Sequence, residues 1–151
     1  MKRVLLSILA CTFMLVQCSG NQPSNIGIVK GTITPCPSSP NCVSTNSTDE
    51  KHSIEPIHFT GSARKAWETL VVVVKEMKRS HIVTESDTYI HAEFTSALFR
   101  FIDDVEFSLN ETTGTIAMRS ASRIGHSDFG VNRKRMETIR AQFVALNRKK
   151  E

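Results

Sequence analysis

The sequence contains no apolar stretch approaching the roughly 20 residues that a membrane-spanning helix requires; its longest, Val4 to Val16, covers 13. Following Met1-Lys2-Arg3, that run reads instead as a signal peptide over residues 1–17. Cysteine is scarce, with four in 151 residues, and Cys36 and Cys42 lack two further ligands at suitable spacing, which argues against a zinc site. The Gly-x-Ser-x-Gly nucleophile elbow is missing from Gly125-His126-Ser127-Asp128-Phe129-Gly130. His126, Ser127 and Asp128 are chain neighbours whose side chains diverge, so adjacency does not make them a catalytic relay. His91-Ala92-Glu93 has no downstream Pro-Cys-x-x-Cys and so departs from the zinc deaminase pattern. His52, His58 and His81 are scattered without ligand spacing. No metal and no cofactor is expected.

Leu15-Val16-Gln17-Cys18 is similar to a lipobox, in which the cysteine thiol is acylated and becomes the new N-terminus. Gln17 stands where a small residue is usual, and Ile8-Leu9-Ala10-Cys11 leaves too short an apolar core to compete. The expectation is an exported lipoprotein anchored through Cys18, facing the periplasm or cell surface, with soluble export as the alternative. From Cys18 onward 134 residues remain, enough for one domain with a modest core. Their net charge is +2, unevenly placed: residues 18–118 carry 8 Lys+Arg against 12 Asp+Glu, and residues 119–151 carry 9 against 3. That split points to internal pairing rather than a nucleic-acid surface, and no nucleic-acid partner is expected. The basic end Arg148-Lys149-Lys150 suits a solvated helix terminus.

Residues 18–34 are polar and aperiodic and read as a tether, followed by a domain over 35–151 with an irregular lead-in. Three prolines surround Cys36 and Cys42 in Pro35-Cys36-Pro37-Ser38-Ser39-Pro40-Asn41-Cys42, and export permits their oxidation, so a disulfide is expected. A short strand at 57–59 precedes a helix capped by Ser62, whose stripe is Ala63, Trp67, Leu70, Val71, Val74 and Met77. Alternation then predicts strands at about 81–86, 88–97, 102–109 and 115–123, with Glu111-Thr112-Thr113-Gly114 turning the last two into a hairpin. A final helix, capped by Asn132, carries Met136, Ile139, Phe143 and Leu146 inward. The fold class is α+β: an antiparallel sheet of about five strands, two helices on one face, in the order β-α-β-β-β-β-α.

Ser39-Pro40-Asn41-Cys42-Val43-Ser44, then Glu93-Phe94-Thr95-Ser96 with Arg100-Phe101-Ile102-Asp103-Asp104-Val105-Glu106-Phe107, then Arg119-Ser120-Ala121-Ser122-Arg123 and Ser127-Asp128-Phe129-Gly130-Val131-Asn132-Arg133-Lys134-Arg135 resemble the signatures of the domain-of-unknown-function 1499 family. The resemblance spans nearly all of residues 35–145. It implies a bacterial, often exported or membrane-associated protein with plastid relatives, and it supplies no reaction or ligand.

Asp104 and Glu106 share one strand face ~7 Å apart at ~3.3 Å per residue, a separation open to acid/base work, yet they read more simply as a solvated face paired with Arg119. Asp103 falls on the apolar side and needs donors. Arg133, Lys134 and Arg135 oppose the macrodipole at the start of the last helix, so Asp103 and Asp128 are expected there as compensation. The same helix start, flanked by Arg119 and Arg123, is the candidate anion site. The leading expectation is a non-enzymatic envelope domain that binds a partner protein, lipid or small anion. The alternative is a hydrolase using Asp103, Asp104 and Glu106.

Overall fold

The structure, a computed structural model, describes residues 20–148. The expected signal peptide over residues 1–17, Cys18 and Lys149-Lys150 lie outside that range. The first elements are β1 (Ile28–Val29) and β2 (Thr32–Ile33), a hairpin turned at Lys30 and Gly31, both at positive φ (52° and 82°). That pairing of left-handed residues is the turn whose twist suits a two-residue hairpin loop. There follow β3 (Cys42–Ser44), β4 (Ile57–His58), α1 (Ala63–Glu76), β5 (Ser80–Glu85), β6 (Tyr89–Thr95), β7 (Ile102–Asn110), β8 (Thr115–Ser122) and α2 (Val131–Asn147).

The main sheet has the order β3-β8-β7-β6-β5, every pair antiparallel, with β4 also pairing β8. The class is the α+β arrangement expected, and the five strands read from the sequence are all present. Its sixth strand is β3, which lies in the supposed irregular lead-in; three residues are too few to display alternation, and pairing with Arg119, Ser120 and Ala121 is what makes them a strand.

Alternation assigns the two faces. Ile90, Ala92 and Phe94 of β6, Val105 and Phe107 of β7, Ile116 and Met118 of β8, and Val43 of β3 meet Trp67, Leu70, Val73 and Val74 of α1 and Met136, Ile139 and Phe143 of α2 in one buried core. The β-branched run of α1 stays helical because its 3.6-residue stripe, not its local propensity, matches this sheet face. Ser62 caps it, its hydroxyl accepting from the backbone N–H of Lys65 at 3.4 Å.

The start of α2 differs from the expected Asn132 cap. The helix begins two residues earlier, at Val131 after Gly130 in the left-handed region (φ 78°), and the capping group is Asp128. Its carboxylate accepts from the N–H groups of Gly130 (3.0 Å) and Asn132 (2.8 Å), which places negative charge beside the positive helix end. Asn132 is freed from capping and fully buried.

Residues from Gly20 onward do not form the expected tether. The hairpin lies against β7 and β8 on the sheet face opposite the helices, and Ile33 is 1 % exposed. The domain therefore has three layers: helices, sheet and an N-terminal cover.

Candidate functional site

On the covered face the strand register gathers charged side chains into adjacent rows. Glu106 of β7 stands across from Arg119 of β8 and His91 of β6, and Asp104 stands across from Glu93. Arg119 Nη1 donates to Glu106 Oε2 at 2.8 Å, while Glu106 Oε1 accepts from the Tyr89 hydroxyl and from the Gly27 backbone N–H, each at 2.7 Å. Arg123 donates to both oxygens of Asp104 at 2.8 Å and also pairs with Glu93, and its Nη1 reaches the Gly20 carbonyl at 3.3 Å. His91 Nε2 completes the group 2.7 Å from Asp104 Oδ1.

This face was expected to be solvated. Instead Asp104 is 1 % exposed, Glu106 0 % and Arg119 2 %, because the 20–34 segment lies over them. A buried charge is tolerable only when paired and hydrogen-bonded, and this network meets that condition except at Arg119 Nε, which has no partner among the described residues. Burial raises the Asp104 pKa, but the bonds from Arg123 and His91 outweigh it and hold the carboxyl below its ordinary value. The Asp104 bond raises Arg123 above its own. Burial, reinforced by Glu106, pushes the Tyr89 phenol far above its usual range.

Asp103 points the other way, toward the helices, so the three adjacent carboxylates do not form one cluster. Its Oδ2 accepts from Arg135 Nη2 at 2.5 Å, and the Arg135 guanidinium lies 4.9 Å over the Phe94 ring. Arg135 Nη1 also donates to Asn132 Oδ1 (2.7 Å) and Ser120 Oγ (3.0 Å). The Asn132 amide in turn donates to the Asn41 carbonyl (3.0 Å) and Ser122 Oγ (2.9 Å), fastening α2 to the start of β3.

Arg119 and Arg123 consequently do not flank the start of α2, as an anion site there had required. Arg119 on β8 and Arg123 just past its end are both odd-numbered, and the odd positions face the cover. Arg133 reaches the Lys51 carbonyl at 2.9 Å. The candidate cluster thus divides between the two sides of the sheet; Asp103, Asp104 and Glu106 are occupied by its own cations and Asp128 by the start of α2.

An open groove of about 600 Å³ lies elsewhere, between the end of α1, the end of β6 and the first turns of α2. Lys78, Arg79, Lys134 and Arg135 line it with Ser96, Thr138 and Gln142, and Glu76 is its one acidic residue. No ion pair holds Lys78, Arg79 or Lys134 among the described residues. Of the cations of this groove, the sequence had singled out the α2 residues Lys134 and Arg135. Lys78 and Arg79 follow α1, and only the long-range packing of α1 on α2 brings them beside Lys134.

The Cys36 and Cys42 sulfurs are bonded at 2.05 Å. Among the described residues no group of three or more His, Cys, Asp or Glu is placed to hold a metal ion, and no helix is long and apolar enough to cross a membrane.

The family model described as protein of unknown function (DUF1499) matches residues 32–143. The chain belongs to that family. The DUF1499 match begins within β2 and ends at the last core residue of α2, so it takes in the sheet, both helices and both ion-pair networks. No curated protein and no solved structure matches the chain.

Proposed function

We propose that this protein is a non-enzymatic envelope lipoprotein domain, anchored through Cys18, that binds an anionic ligand in the groove between the end of α1 and the start of α2. The observation that carries the reading is a contrast. Asp103, Asp104 and Glu106, the carboxylates that a hydrolase would use, are closed off and paired, whereas the open groove of about 600 Å³ is lined by Lys78, Arg79 and Lys134, which have no ion pair among the described residues. A general acid or base must reach a substrate proton, and buried Asp104 and Glu106 have none within reach. A groove with convergent polar and cationic groups is the ordinary form of a small-ligand site.

The ligand test is titration of the protein with inorganic phosphate, followed by the amide resonances of Ser96, Ala97 and Lys134. Saturable shifts that disappear in Arg79→Glu/Lys134→Glu support the groove as the site; unmoved resonances in the parent protein sink it. The anchor is tested separately by fractionating cells that express Cys18→Ser. Loss of the variant from the membrane fraction is expected, and its retention there removes Cys18 from the account.

A further inference from the structure

Four independent features meet at one end of the domain. The first is the β6–β7 connection, closed by the Ser96 N–H to the Phe101 carbonyl (2.8 Å) and the Phe101 N–H to Ser96 Oγ (2.9 Å). Its tip holds Leu98 and Phe99 in water, 79 % and 67 % exposed, with Phe99 stacked on Phe101 at 5.5 Å and Arg100 at a positive φ of 55°. The second is the β8–α2 connection, where Phe129 is 97 % exposed at φ 53° and is followed by exposed Val131. A bulky side chain in that backbone region is uncommon and strained. Here the strained backbone holds an aromatic ring outward.

Both connections border the cationic groove, which Ala97 and Val131 line together with Lys78, Arg79 and Lys134. That is the third feature. The fourth is the path of the chain: Gly20 lies against Ile124, so that a Cβ added at Gly20 would come 2.8 Å from Ile124 Cγ2. Ile124 lies near the start of the connection that carries Phe129. The Arg123 N–H to the Ile102 carbonyl (3.0 Å) shows that this strand end and the β6–β7 connection are neighbours.

We infer that this end of the domain docks onto an anionic phospholipid bilayer, with Leu98, Phe99 and Phe129 entering the acyl boundary and Lys78, Arg79, Arg100 and Lys134 meeting the headgroups. The inference rests on the anchored, anion-binding reading above and names its partner. Aromatic and leucine side chains held outward on tight connections, beside cations, match the chemistry of the interface between lipid headgroups and chains. A protein partner would call for a flatter or concave apolar surface, whereas the apolar groups here project. Residues 18 and 20 are two apart, and each residue of extended chain reaches at most ~3.6 Å. An acyl chain on Cys18 would therefore enter the bilayer within about 10 Å of Gly20, which itself sits at this end.

The test uses the full chain reconstituted in vesicles, with a single tryptophan added by Phe99→Trp, Phe129→Trp or, in the β7–β8 turn at the opposite end, Thr113→Trp. Buried Trp67 supplies the baseline in the parent. Acyl-brominated lipid should remove most of the added emission at 99 and 129 in vesicles containing phosphatidylglycerol, less in phosphatidylcholine alone, and none at 113. Quenching at neither 99 nor 129, or equally at 113, overturns the docking. Quenching that is indifferent to phosphatidylglycerol overturns the assignment of the cations. Phosphate-induced shifts in the groove together with unquenched loops would leave the anion-binding reading standing and defeat only this inference.

Discussion

Glu106 is the point at which the sheet and its cover are joined, and replacing it isolates what that joint contributes. In Glu106→Ala the Tyr89 hydroxyl and the Gly27 N–H lose their acceptor, and Arg119, 2 % exposed, loses the carboxylate it pairs with while its Nε already has no partner. Removing one member of a buried pair costs about 3–5 kcal/mol, because the remaining charge is stranded. For a domain whose whole stability is of order 5–15 kcal/mol, that is a large fraction, so urea midpoints should fall sharply. The double variant Glu106→Gln/Arg119→Met separates pairing from mere contact. The glutamine carbonyl can still accept from Tyr89 and Gly27, and methionine leaves no charge to strand, so the pair should lie within about 1–2 kcal/mol of the parent. Glu106→Gln alone sets an amide N–H against the Arg119 N–H and should be less stable than the double variant. A loss below ~1 kcal/mol in Glu106→Ala, or a double variant whose cost is the sum of its singles, refutes the reasoning.

Asp103→Ala should cost about 3 kcal/mol, at the lower end for a broken buried pair, since Arg135 keeps Asn132, Ser120 and the Phe94 ring; the same denaturation measurement on Glu68→Ala, which breaks an exposed helix pair, should move by less than ~0.5 kcal/mol. Asp104 has a folded pKa below its ordinary 3.8, so the unfolded chain binds the proton more readily. Its contribution is complete above the unfolded value and is lost as pH falls through the folded one. Denaturant midpoints followed from about pH 6 to about pH 2 should therefore fall less steeply in Asp104→Asn than in the parent, and parallel curves would contradict the assignment.

The main strands and both helices were readable because each is long enough to show its period against one apolar core. Asp103 was readable for the same reason: alternation put a carboxylate on the apolar side, and it pairs there with Arg135 of the predicted helix. What alternation could not reveal is whether a polar face is wet. Asp104, Glu106, Arg119 and Arg123 show the period of a solvated sheet face, and the segment that covers them is itself polar, with Ile33 its one buried apolar side chain. Its attachment to Glu106 runs through the Gly27 backbone N–H, a group that every residue except proline carries and that leaves no mark in a side-chain pattern.

A trace did exist in the register. Once β6, β7 and β8 are aligned by their apolar positions, Glu106 falls opposite both Arg119 and His91, and Asp104 falls one row away beside Glu93, within reach of Arg123. Ordinary surface pairs are isolated and contribute little, so a sheet has no need to stack two rows of them across three central strands. A layered network of paired charges, its two rows joined by His91 and Asp104, is what the absence of water demands. The same reasoning separates the two cationic sets. Arg119, Arg123 and Arg135 are held in ion pairs that fasten the fold, whereas Lys78, Arg79, Arg100 and Lys134 have no ion pair among the described residues, which is why the proposed ligand is placed at the loop end of the domain rather than in the charged centre of its sheet.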